Sequence, residues 1–248
     1  MYLCFMENDW FATWFDTPYY HTLYKNRNES EAKRFIENLV EYLKLPEGSK
    51  LLDLACGKGR HAITLHNKGF NVLGVDLSEN SIKAAATHAT SGLEFGIHDM
   101  RQVIPNKSFQ AVFNLFTSFG YFDSTQDNER VLSSVHEMLV PNGILVIDFM
   151  NACKDIQNLI PKEVKQVDGI VFNIERSYDQ QFITKDIRFE DNGEKHYYSE
   201  RVQALDLDNF RSLMQKTNFE ILRTFGNFDL DSFDPKISDR LIIIAQKR

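Results

Sequence analysis

Residues 51–60, "LLDLACGKGR", run from an apolar, strand-like tetrapeptide into a Gly-x-Gly turn, and an acid, Asp53, sits inside the apolar part. Gly57-Lys58-Gly59-Arg60-His61-Ala62 satisfies G-x-G-x-x-[GA]. Asp76, at the end of the next apolar run, stands roughly where a dinucleotide fold places its ribose-binding acid. That pattern admits a nicotinamide cofactor. Asp53 argues against it, because a carboxylate just before the turn would repel a pyrophosphate seated at the following helix N-terminus. A ligand with a cationic amino-acid end would be attracted instead. Cys56 in the turn reads as a small side chain that fits a tight bend, in preference to a nucleophile. None of the seven histidines has metal-ligand spacing to cysteine or to another histidine, so no metal site is expected.

These residues need elements that bring them to one edge. Apolar runs at 50–55, 71–76, 111–116 and 143–149 read as strands, with a weaker one at 93–96. Helical patterns lie between them: 58–68 ending at Gly69, 78–89 opened by Ser78, and 125–139 with Val131, Leu132, Val135, Met138 and Leu139 on one stripe. A further helix, 30–45, carries Phe35, Ile36, Leu39, Val40 and Leu43 behind Ser30 as its expected N-cap. Strand and helix alternate with short turns, which predicts an α/β fold: a parallel sheet with helices on both faces. After Phe149 the period changes. Within residues 163–203, "GIVFNIERSYD", "QFITKDIRFE" and "EKHYYSERVQA" alternate apolar and polar side chains, with Asp191-Asn192-Gly193 as a hairpin turn, and read as an antiparallel β insertion. A helix at 207–218 and strands at 219–226 and 240–246 follow. The expected division is 1–150 for an N-terminal cap and binding core, 151–205 for the insertion, and 206–248 for the elements that complete the sheet.

Composition narrows the classes. A chain of 248 residues can bury a full core, and a formal net charge of -7 offers no footprint for a phosphate backbone, so nucleic acid is not expected as a partner. Cys4, Cys56 and Cys153 are few, odd in number and widely spaced, as suits free thiols in a reducing, cytoplasmic setting. The N-terminus lacks a signal-peptide pattern and "LIIIA" is too short to span a bilayer, so no membrane association is expected.

"LLDLACGKGRHA" resembles the first motif of the class I S-adenosylmethionine-dependent methyltransferases, with Ala55 where many members have the first glycine. "GVDLS" (74–78) resembles their second motif and "HDMR" (98–101) their adenine-contacting segment. The likeness covers about residues 30–150. It implies a Rossmann-like seven-stranded sheet, mostly parallel with one antiparallel strand, and S-adenosylmethionine as cofactor. It also implies roles. Gly57 and Gly59 let the backbone approach the methionine portion, Asp53 biases the pocket toward its ammonium, and Asp76 accepts from both ribose hydroxyls. Leu77 and Met100 sandwich the adenine, Asp99 accepts from its exocyclic amine, and a backbone carbonyl near Asn114 or Leu115 takes the ammonium.

The acceptor side is less marked. In the small-molecule enzymes this chain resembles, an aromatic segment such as 16–32 folds over the cofactor, which makes Tyr20 and Arg27 candidates, the latter for the methionine carboxylate. The stretch "NLFTSFGYFDS" (114–124) has neither [DN]-P-P-[YFW] nor Pro-Cys, the marks of adenine- and cytosine-methylating enzymes. It is closer to the corresponding segment of amino-sugar N-methyltransferases, some of which carry a histidine at the position of Tyr121, the catalytic candidate here. On the insertion, His196, Tyr198 and Glu200 share one strand face, and Tyr197 and Arg201 the other. The expectation is a methyltransferase moving a methyl group to N or O of a small molecule. An NAD(P)-dependent oxidoreductase, or a methyltransferase-fold protein acting on a macromolecule, is the alternative. An exposed edge on the insertion would suit a two-fold homodimer.

Overall fold

The computed structural model describes residues 10–25 and 29–248. Arg27 and Cys4 lie outside the described residues. Three helices come first, α1 (Trp10–Trp14), α2 (Pro18–Leu23) and α3 (Glu29–Leu43), and strand then alternates with helix: β1 (Lys50–Leu54), α4 (Arg60–Asn67), β2 (Asn71–Asp76), α5 (Glu79–Ala85), β3 (Leu93–Ile97), β4 (Phe109–Asn114), α6 (Thr125–Met138), β5 (Leu139–Met150). After α7 (Ala152–Gln157) come β6 (Lys162–Val167), β7 (Ile170–Tyr178), β8 (Phe182–Asp191) and β9 (Glu194–Gln203), and α8 (Leu207–Lys216), β10 (Phe219–Phe225) and β11 (Arg240–Lys247) close the chain.

The seven-stranded sheet has the order β10-β11-β5-β4-β1-β2-β3. Strands β1 to β5 pair in parallel, while β11 runs antiparallel to both β5 and β10. This is the expected Rossmann-like sheet with its single reversed strand. Successive side chains point to opposite faces, and both faces are covered, so the strands read as unbroken apolar runs. Leu52, Leu54, Val112, Leu145 and Ile147 pack with Val131, Val135 and Phe210 of α6 and α8; Leu51, Val72, Ala111, Phe113 and Val146 pack with Phe35, Ile36 and Leu65 of α3 and α4. Each such Val, Leu, Ile or Phe side chain contributes about 1.5–3 kcal/mol relative to exposure. The connection after β1 runs to β2 and the connection after the adjacent β4 runs the other way, to β5, which opens a crevice at the carboxyl ends of β1 and β4.

The antiparallel insertion forms a second sheet, β6-β7-β8-β9. Its hairpin turn has Asn192 at φ 51° and Gly193 at φ 81°, the left-handed pair that a two-residue turn matched to strand twist requires. Trp14 and Leu23 pack with Phe172, Ile174, Ile187 and Phe189, so α1 and α2 cover one face of this sheet. Glu200 anchors them, accepting from Trp14 Nε1 at 2.7 Å and from the Tyr24 hydroxyl at 2.7 Å.

Two local expectations are corrected. Ser30 lies inside the first turn of α3 and does not cap it, because the buried stripe from Phe35 to Leu39 dictates the helix and leaves its polar start free to extend. The helix α7 and the edge strand β6 were not anticipated, since both are short and β6, "KEVKQV", has too few apolar residues to show its alternation. Ser78, Ser124 and Asp206 do cap α5, α6 and α8 through side-chain oxygens. No helix among the described residues is long and apolar enough to cross a membrane.

Candidate functional site

A cavity of about 420 Å³ lies at the carboxyl ends of β1, β2 and β4. The glycine turn forms part of its wall. Ala55, Gly57 and Gly59 have φ of 63°, 55° and 83°, so the chain reverses tightly between β1 and α4. The two glycines serve different ends. A Cβ on Gly57 would meet no protein atom within 4 Å, and Gly57 lines the cavity. A Cβ on Gly59 would stand 2.6 Å from the Phe95 ring of β3, and Gly59 is behind the wall. Gly59→Ala should therefore cost about 2–4 kcal/mol in urea unfolding, from left-handed strain and overpacking together. Gly57→Ala should cost about 1 kcal/mol, the backbone part alone.

Asp53 does not line the cavity. It is 1% exposed, and its Oδ2 accepts from the Ala62 amide at 3.0 Å. Gly59, at the N-cap of α4, has no side chain to offer, so Asp53 reaches across from β1 to satisfy a free N–H of the first turn. Burial pushes its carboxyl up to about 7. Asp53, expected to bias the pocket toward a cationic amino-acid end through backbone or water, thus stands behind the turn as a cap of α4, where near neutral pH it is only partly charged.

Asp76 sits in the wall at the end of β2. Its Oδ2 accepts from Gly57 N at 2.8 Å and its Oδ1 from Ser78 N at 2.9 Å. Burial raises its pKa against the pull of these amides. Both oxygens are fixed in place, and each keeps a lone pair for a ligand. Leu77, Asp99, Met100 and Leu115 also line the cavity. Burial pushes the Asp99 carboxyl up, but the Arg101 guanidinium outweighs it and holds the group below its usual range, through bonds of 3.0 Å from Nε to Oδ1 and 2.7 Å from Nη2 to Oδ2. The acid expected to meet an amine is therefore already engaged by Arg101.

Aromatic side chains form a further part of the wall: Phe11 from α1, Phe15 just after it, Tyr20 from α2 and Tyr121 from the loop after β4. The Tyr121 ring packs on Trp10 and Phe15 with centroids 5.2 and 5.3 Å apart, and its hydroxyl donates to the Thr117 carbonyl. A phenol committed as a donor in this way is a poor base. Tyr20 packs on Phe15 and Tyr24.

Two residues were not anticipated. Asp16 accepts from the Ser78 hydroxyl and from Asn80 Nδ2 at 2.6 Å, which ties the turn between α1 and α2 to the start of α5. His61 lines the cavity, yet it is buried, its Nε2 has no protein partner, and burial lowers its pKa to about 3, so the ring is neutral. Neither has a sequence signal, because each depends on which strand end lies opposite. Cys56 is buried, which pushes its thiol up and keeps it protonated. Among the described residues no cluster of His, Cys, Asp or Glu could hold a metal ion.

The sequence profile of the family described as methyltransferase domain matches residues 45–218. A putative methyltransferase of Bacillus subtilis (strain 168), YqeM, is 29% identical over 213 residues, covering 82% of this chain and 86% of its own length. The dTDP-3-amino-3,4,6-trideoxy-alpha-D-glucopyranose N,N-dimethyltransferase of Streptomyces venezuelae is 35% identical over 106 residues, 42% of this chain and 43% of its own. The crystal structure of an S-adenosylmethionine-dependent methyltransferase from Clostridium acetobutylicum ATCC 824 matches with a TM-score of 0.79 at 19% identity, over 92% of this chain and 96% of that one. This last likeness is one of fold.

Proposed function

The chain belongs to the methyltransferase domain family, and on that premise we propose that it moves a methyl group from S-adenosylmethionine to a nitrogen or oxygen of a small molecule. The observation that carries this reading is the pairing of Asp76 with Gly57 at the cavity: a fixed carboxylate beside a backbone position with open space where a Cβ would stand. The residues present fit the cofactor. Asp76 takes the ribose hydroxyls, Leu77 and Met100 flank the adenine, Asp99 stands beside it with both oxygens held by Arg101, and Gly57 and the Leu115 carbonyl meet the methionine end. Arg27 is the candidate for its carboxylate. Bound there, the cofactor supplies a methyl group on a positively charged sulfur that leaves without acid assistance.

The chain's own task is then alignment and exclusion of water. Phe11, Phe15, Tyr20 and Tyr121 make an apolar part of the cavity wall that suits both. Tyr121 positions the acceptor by its ring and does not take its proton, since its hydroxyl is given to Thr117. A cavity of this size, shared with the cofactor, favours a small acceptor over a macromolecule. The amino-sugar acceptor in the name of the Streptomyces venezuelae relative supports the same class.

Thermal unfolding with S-adenosylhomocysteine and with NAD, side by side, tests the reading. At about 100 times its dissociation constant the first should add roughly 2.7 kcal/mol, a rise of about 5–10 °C, and NAD should add nothing. Stabilisation by NAD alone would overturn the proposal in favour of the nicotinamide alternative.

A further inference from the structure

Beyond the cavity wall, the loop that leaves β4 contains two adjacent non-glycine residues in the left-handed region, Phe116 at φ 62° and Thr117 at φ 58°. A side chain there crowds the backbone, so such a conformation persists only where the surroundings impose it. Here they do so through four bonds. Asp148, fully buried near the end of β5, accepts from the Phe116 amide at 2.9 Å through Oδ2, and its own carbonyl accepts from the Thr117 amide at 2.9 Å. Arg240, at the start of β11, donates from Nε to Asp148 Oδ1 at 2.7 Å and from Nη2 to Thr117 Oγ1 at 2.9 Å. Neither Asp148 nor Arg240 lines the cavity, but Leu115, Phe116 and Ser118 do. The Phe116 ring lies under the Arg60 guanidinium at 4.0 Å, which joins this loop to the glycine turn on the opposite side.

We infer that Asp148 and Arg240 are positioning residues for the reaction: they lock Phe116 and Thr117 in a strained bend that aims the Leu115 carbonyl at the cavity. This rests on the methyltransferase reading, in which that carbonyl meets the methionine ammonium. The Ser118 hydroxyl donates to it at 2.8 Å and takes one lone pair, leaving the other for the ligand. A buried ion pair is a costly device if it serves stability alone, because desolvation offsets most of its attraction. A bend that must hold against its own strain gives it a second use. The clamp therefore acts on the amino-acid end of the ligand and leaves the nucleoside end, on Asp76 and Leu77, untouched.

Calorimetry with S-adenosylhomocysteine and with adenosine separates the two ends. Arg240→Gln should lower S-adenosylhomocysteine affinity at least tenfold while adenosine affinity changes less than twofold. Thr117→Gly in the same background should recover part of the loss, because glycine adopts the bend without restraint. If Arg240→Gln does not fold, Thr117→Val leaves the ion pair intact, removes only the acceptor for Nη2, and should show the same selective loss at about threefold. Equal loss of both ligands, or loss of neither, would overturn the clamp while the methyltransferase reading stands. If the unmodified chain binds adenosine and S-adenosylhomocysteine equally, the amino-acid end has no site and the clamp falls with it. If it binds neither, the methyltransferase reading itself fails.

Discussion

Asp76→Ala should weaken S-adenosylhomocysteine binding by at least a hundredfold with the fold retained. Two hydrogen bonds from ribose hydroxyls to a charged acceptor contribute about 1.5–3 kcal/mol each, so losing both amounts to roughly 3–6 kcal/mol, or about 10² to 10⁴ in affinity. The alanine variant also frees the Gly57 and Ser78 amides that the carboxylate now holds. Asp76→Asn separates these effects. It keeps one oxygen for the scaffold and loses the charge, so its affinity should fall between those of the wild type and the alanine variant. Because burial raises the Asp76 pKa, wild-type affinity should begin to fall, on acidification, at a higher pH than an exposed aspartate would give. Calorimetry across pH measures all three, and an alanine variant within threefold of wild type would remove Asp76 from the site.

Asp53→Asn should stabilise the protein at pH 8 and leave S-adenosylhomocysteine affinity within a few-fold of wild type. The folded carboxyl is pushed up to about 7 from an ordinary value of 3.8. Between those two values the folded state keeps a proton that the unfolded chain releases, so stability falls as pH rises through this window. Above it the full penalty stands, on the order of 4 kcal/mol. Asparagine carries no such penalty and its oxygen can still accept from the Ala62 amide. The favourable interaction of a charged cap with the start of α4, about 0.3–1 kcal/mol, is lost and trims the gain. A net advantage of about 1–4 kcal/mol at pH 8, shrinking toward pH 5, is expected in urea unfolding. His61, with its pKa lowered to about 3, destabilises the fold as pH falls below 6.5, the opposite slope. It is common to both proteins and cancels when they are compared at each pH. A tenfold loss of ligand affinity in the asparagine variant would show instead that the Asp53 charge reaches the cavity.

Much of this protein is legible in its sequence where the signal is local. Apolar runs and helical stripes identified strands β1 to β5 and the helices between them, because a buried strand and an amphipathic helix each carry their own period. The hairpin at Asn192-Gly193 was legible for a similar reason, as its residues tolerate the left-handed region. Of the site, Ala55, Gly57, Asp76, Leu77, Asp99, Met100, Leu115, Tyr20 and Tyr121 were named from motifs and do line one cavity. Ala55, Gly57, Asp76, Leu77, Asp99, Met100 and Leu115 come together because each lies within three residues of a strand end, and strand ends on one sheet edge converge, whereas Tyr20 on α2 and Tyr121 farther along the loop after β4 reach the cavity only through tertiary packing.

The sequence by itself determined the order of elements in the main sheet, the glycine turn and the acids at the strand ends, since backbone conformation and side-chain period are set by near neighbours. Only the tertiary structure decided which way each group faces. Asp53 looked like a ligand residue and turned out to cap α4, because the partner of a buried carboxylate is whatever amide the folded chain brings within reach. Gly59 supports Phe95 and not the cavity for the same kind of reason. Arg240 bonds Thr117 from 123 residues away, a pairing that exists only once β11 has docked against β5. No local rule encodes such a contact.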